Sequence, residues 1–151
     1  MSTRARTIGI VVISVSVFGL LSGCGKEPTL DGALPVHPVS GALTFKGAPM
    51  QGAIITFYPL NPKGKYDPAP TGKVDENGRY TLTTYASNDG APTGEYRVTV
   101  YWPGKRRGTP NDDGDLPPDQ LKEVFADKKS SKLRAVVDAK ENTIDFAFPQ
   151  L

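Results

Sequence analysis

The chain has 151 residues, 38% of them hydrophobic, with a formal net charge of +2, one histidine and one cysteine. That length suits a single domain, and the near-balance of charge excludes the basic footprint that nucleic-acid binding needs. A lone cysteine excludes an internal disulfide, and one cysteine with one histidine cannot supply the three or four nitrogen or sulfur ligands of a zinc centre. With 14 prolines and 16 glycines, the composition favours many short strands and turns over helices.

Residues 1–23 read as a secretory signal. Arg4 and Arg6 make a basic start, no acidic residue precedes Glu27, and Ile8 to Leu21 is an apolar run of 14 residues. Such a run is short for a transmembrane helix and right for a signal core. Ser22 and Gly23 then supply the small residues that a signal peptidase needs, but an ordinary signal has no requirement for cysteine next. Leu21-Ser22-Gly23-Cys24 resembles the lipobox of bacterial lipoproteins. The resemblance implies a Cys24 thiol alkylated by diacylglycerol and, after cleavage, an acylated Cys24 at the N-terminus. The alternative is a buried structural cysteine, set against a position between the signal core and a Pro/Gly-containing segment. The mature chain, Cys24 to Leu151, would carry 16 basic and 16 acidic residues. Two or three acyl chains would hold it durably to membrane lipid, since each buried methylene contributes about 0.8 kcal/mol and one chain alone is marginal. Gly25 in place of aspartate after the cysteine implies, by the same resemblance, passage to the outer membrane. Residues 24–35 are then the lipidated N-terminus and a tether, and 36–151 the domain.

Within the domain, alternation at period two predicts seven strands, near 37–45, 53–59, 70–74, 79–85, 95–102, 132–138 and 143–149. The clearest is Gly94 to Trp102, where Tyr96, Val98, Val100 and Trp102 share the inward face and Arg97, Thr99 and Tyr101 the outward one. Asn77-Gly78 after Asp75-Glu76 predicts a hairpin turn with both positions at positive φ. Lys46-Gly47-Ala48-Pro49 closes the first hairpin. Pro117 to Ala126 predicts the one short helix, with Leu121, Val124 and Phe125 docking it. Strands with one apolar face each predict a seven-stranded antiparallel β-sandwich.

The residues Val39 to Phe57, "VSGALTFKGAPMQGAIITF", with "VDENGRYTL" and "PTGEYRVTV" downstream, resemble the carboxypeptidase regulatory-like (transthyretin-like) β-sandwich. More closely, Thr84-Tyr85, Asp89 to Pro92 and Gly94 to Pro103 are similar to a segment of the small planctomycete-type lipoproteins that carry this domain. The resemblance covers most of residues 36–151 and implies an extracytoplasmic module of the cell envelope. The connection 103–131 is an addition to the regulatory-like domain, so partner sites do not transfer.

No catalytic constellation assembles in the sequence. His37, the only histidine, lies between Val36 and Pro38 where the tether meets the domain, whereas related transthyretin-like hydrolases use several histidines and an arginine. Pro110 to Gln120 fits a calcium loop poorly: Thr109 stands first and Gln120 where a bidentate glutamate is needed, so no metal and no cofactor is expected. Lys105, Arg106 and Arg107 followed by Asp112, Asp113 and Asp115 make the most charged connection, a candidate loop for an envelope protein or glycan. The plain alternative is a solvated, self-neutralising insertion. Trp102, Tyr80 and Tyr96 read as core, and Tyr66, Tyr85 and Tyr101 as more exposed. The expected function is non-enzymatic binding or support in the envelope, with a carbohydrate-binding module as the alternative and a hydrolase as a remote one.

Overall fold

A computed structural model describes residues 31–62, 67–104 and 116–149, and every regular element in them is a β-strand. There are eleven: Val36–His37 (β1), Val39–Phe45 (β2), Ala48–Pro49 (β3), Ile54–Pro59 (β4), Thr71–Lys73 (β5), Arg79–Thr81 (β6), Ala91–Pro92 (β7), Gly94–Tyr101 (β8), Arg134–Val137 (β9), Asn142–Thr143 (β10) and Phe146–Phe148 (β11). Each expected strand has a counterpart, but the count of seven is too low. Pro38, which has no N–H to give a ladder, separates β1 from β2, and the last strand divides around Ile144-Asp145.

One sheet runs β5-β4-β8-β9, antiparallel throughout. In a second, β2 is central, with β6 and β3 antiparallel on one side and β10 and β11 parallel on the other. The expectation of a purely antiparallel fold is therefore corrected: the C-terminal segment returns alongside β2 in the same direction. β1 and β7 make a small separate pair. The apolar faces meet in one core, where Val39, Leu43, Ile55, Phe57, Val98 and Val100 are fully buried. Each such side chain contributes about 1.5–3 kcal/mol by leaving water.

The break between β10 and β11 is held by three groups. Ile144 N–H donates to the Ser40 carbonyl at 2.8 Å, and Ala42 N–H donates to Asp145 Oδ1 at 2.7 Å. The Ile144 carbonyl, turned toward β2, accepts the Tyr80 hydroxyl at 2.7 Å. It can do so because Gly41 lies beneath it; a Cβ there would stand 1.8 Å from that oxygen. Burial, and secondarily the Asp145 carboxylate, holds the Tyr80 phenol far above its ordinary pKa.

Several local expectations are overturned. At Asp75–Arg79 only Gly78 takes positive φ. Asp75 Oδ1 accepts the N–H groups of Asn77 and Arg79, both at 2.8 Å, so this side chain rather than a paired left-handed dipeptide shapes the turn. The two-residue turn with both positions at positive φ lies instead at Lys46-Gly47, at 53° and 79°, between the paired Phe45 and Ala48.

Residues 117–126 contain no helix; 120–126 form consecutive turns after the bridge at Asp119. Lys122 and Glu123 are left-handed at 53° and 62°, and the Asp119 carboxylate takes the Leu121 and Glu123 N–H groups that a helix would need. Leu121 is buried and the Phe125 ring packs 4.8 Å from Phe148, but Val124, expected to dock, is exposed. Thr99, expected to face solvent, is 6% exposed. The segment 125–133 runs beside β8 at that point, with Val100 N–H donating to Phe125 O and the Ser131 hydroxyl to Val98 O.

Candidate functional site

Cys24, Tyr66 and the charged candidates Lys105, Arg106, Arg107, Asp112, Asp113 and Asp115 lie outside the described residues. The root of the charged connection is described, and it is closely braced. Pro103 bridges to Asp119, Gly104 N–H donates to Pro118 O at 2.8 Å, and Gln120 N–H donates to Trp102 O at 2.8 Å. Asp119 Oδ1 accepts Trp102 N–H at 2.9 Å, Gln120 Nε2 donates to Pro103 O at 3.1 Å, and the Tyr101 hydroxyl donates to Pro117 O. Trp102 adds a ring contact to Phe45 at 5.8 Å and an Nε1–H bond to Gln51 O at 3.0 Å. Residues 101–104 and 116–120 thus form a braced stem. Beside it lies an open trough of about 330 Å³, lined by Tyr101, Leu116, Pro117, Pro118, Glu123 and Ala126 among others. Leu116, 77% exposed, is the most exposed large apolar side chain among the described residues.

The sequence reading missed Asp119 as the organiser of this stem. Its signal was present in Pro117-Pro118-Asp119: an aspartate just after a rigid dipeptide favours a side-chain-capped turn as readily as a helix start.

Residues 34–37, the end of the expected tether and the strand that follows it, lie at the other end of β8. Val36 and His37 pair with Pro92 and Ala91, just before β8 begins, and Leu34 N–H donates to the Tyr85 hydroxyl at 3.2 Å. Since β8 spans eight residues at about 3.4 Å each, its two ends stand roughly 24 Å apart. The loop Tyr85–Pro92 is at the tether end, as is Leu60, which bonds to Glu95 O. Asp89 caps the former loop, accepting the N–H groups of Thr84, Tyr85 and Ala86 at 2.7–2.9 Å. Tyr96 donates to Pro92 O at 2.6 Å; burial first, and Tyr85 second, push its phenol up to about 12.

His37 is half-buried, and its carbonyl lies against Gly90, where a Cβ would stand 1.8 Å away. Among the described residues no three His, Cys, Asp or Glu side chains gather as metal ligands. No helix among them is long and apolar enough to cross a membrane. The small cavity lined by Leu34, Pro59, Pro92 and Tyr96 has about 20 Å³, room for about one water. Tyr85 and Tyr101 are half-buried with their hydroxyls engaged.

No protein-family model matches the chain, and no curated protein or solved structure is detectably similar to it.

Proposed function

We propose that this chain is a lipid-anchored, non-enzymatic binding or structural module of a bacterial cell envelope, its two main sheets packed as a transthyretin-like β-sandwich. The anchor reading rests on Leu21-Ser22-Gly23-Cys24 at the end of the apolar run. The sandwich reading is supported by the single core that both sheets fill. The non-enzymatic reading is supported by how the well-organised carboxylates are used: Asp75, Asp89 and Asp119 all hold turns through backbone N–H groups.

One observation carries the binding role. Residues 34–37 lie at the start of β8, and the braced stem leaves from its end. A domain acylated at Cys24 and tethered through 24–35 would therefore turn the stem, 101–104 with 116–120, toward its membrane-distal end. Rigid scaffolds that project a charged connection are how loop recognition is built. The partner would be an envelope protein or glycan, on the periplasmic face or at the cell surface of the outer membrane.

The test is a pull-down from envelope extract with full-length mature lipoprotein and a variant lacking Lys105 to Asp115. Because the stem hydrogen bonds lie outside the deletion, the variant should melt as the wild type does. Loss of specific partners is the expected result. Identical partner lists would reject this connection as the recognition element and turn attention to Tyr85–Pro92 at the tether end.

A further inference from the structure

The outward face of the β5-β4-β8-β9 sheet carries a row of cations that no carboxylate neutralises among the described residues. Tyr58, Arg97 and Arg134 stand side by side in register across β4, β8 and β9. Val98 N–H donates to Leu133 O at 3.1 Å, so by the alternation of an antiparallel ladder the adjacent Arg97–Arg134 pair is of the non-hydrogen-bonded kind. Side chains of such pairs sit closest, with Cβ atoms about 4.5–5.5 Å apart, and like charges there are destabilising. Neither arginine forms an ion pair among the described residues, and Glu95, two positions along the same face of β8, forms none either.

Both guanidinium groups are nonetheless held in place, and by neutral acceptors. Arg97 Nη1 donates to Lys128 O at 2.8 Å. Arg134 Nη1 donates to Leu133 O at 2.9 Å and Ser131 O at 3.3 Å. Lys128 brings a third cation to the same row, its Nζ 5.5 Å from the Tyr58 ring centroid. Arg97 Nε is buried and donates to no acceptor. A guanidinium has five N–H donors, so each arginine keeps donors beyond those spent on the carbonyls. The two guanidinium groups are held before any anion arrives, and positioned arginines of this kind match oxyanions best.

We propose that Arg97, Arg134 and Lys128 form a binding site for a phosphate group, either inorganic phosphate or the monoester headgroup of an anionic lipid. Two guanidinium forks and an ammonium need an anion with more than two oxygens, which favours a tetrahedral group over a carboxylate. Three cations against Glu95 match a dianion in charge. Arg97 is the fourth of the eight residues of β8, and the same phosphate chemistry is offered by a lipid headgroup and by the free ion.

The probe is inorganic phosphate, titrated into full-length mature protein in neutral detergent at fixed ionic strength and followed by ³¹P NMR. Saturable binding is expected. It should weaken about tenfold or more in Arg97→Gln and Arg134→Gln and by less in Lys128→Gln, with acetate failing to displace phosphate. Arg134 and Lys128 are exposed, so their variants keep the core and secure the test if Arg97→Gln folds poorly. Detergent doped with phosphatidate separates the sources: displacement of free phosphate assigns the lipid headgroup, and undiminished binding assigns the free ion. Non-saturable binding by the wild type, or equal binding by wild type and Arg134→Gln, would overturn the proposal.

Discussion

Replacing Asp119 with alanine should loosen the stem that carries the charged connection. The carboxylate accepts three backbone N–H groups: Trp102 at 2.9 Å and Leu121 at 3.2 Å through Oδ1, and Glu123 at 2.9 Å through Oδ2. Hydrogen bonds to a charged acceptor are worth about 1.5–3 kcal/mol each, and those that water can replace much less. The Glu123 bond is exposed, while the other two are partly buried, so the loss should be about 2–4 kcal/mol. For a domain of this size that lowers Tm by about 8–16 °C. Asp119→Asn keeps one acceptor oxygen for Trp102 and Leu121 and should lose about half as much. Trp102 is the only tryptophan and is bonded directly to Asp119, so its fluorescence during thermal unfolding reads the stem itself. An Asp119→Ala melt within about 2 °C of wild type would refute the reasoning.

Val98→Asp should unfold the domain, because an unpaired carboxylate at a fully buried site costs several kcal/mol. Thr99→Asp should also destabilise, by about 2 kcal/mol or more in urea titration, since Thr99 is 6% exposed; a wild-type midpoint would mean that Thr99 is not buried. Gly41→Ala drives a Cβ into the Ile144 carbonyl and should cost about 2–4 kcal/mol through overpacking and the strained Tyr80 bond, read from the same titration. Tyr96 ionises near 12 in the fold and near 10 when unfolded, so its contribution is whole below about pH 10 and lost as pH rises toward 12. Alkaline melts should show that decline, and Tyr96→Phe should reduce it, leaving the part that Tyr80 contributes through its own raised pKa.

The strands were legible because one-sided burial writes itself as alternation: Tyr96, Val98 and Val100 are buried, as their spacing required. What failed were positions decided by groups distant in sequence or by a single polar side chain. Thr99 alternates outward correctly on its strand, yet it is buried where residues 125–133 run beside β8, and nothing local to β8 announces that neighbour. The parallel return of β10 and β11 to β2 depends on Gly41, Tyr80 and Ile144, about 100 positions apart along the chain at the extremes. The helix over 117–126 had the right apolar spacing and lost to Asp119, whose carboxylate competes for the same N–H groups. At Lys46-Gly47 the left-handed turn fell to a lysine, a residue that turn preferences do not favour. Of the candidate sites, the root of the charged connection is organised by residues that the charge pattern did not include, while the cationic row at Arg97 and Arg134 arises only from strand register.

The measurement that tests the central claim most directly is the intact mass of the protein extracted from membranes of a bacterial host competent to process lipoproteins. The account predicts a chain that begins at Cys24 and carries diacylglycerol on its thiol, with or without a further amide-linked acyl group, and predicts that Cys24→Ala removes the added mass. A chain beginning at Cys24 or elsewhere with a free, unmodified thiol would contradict it.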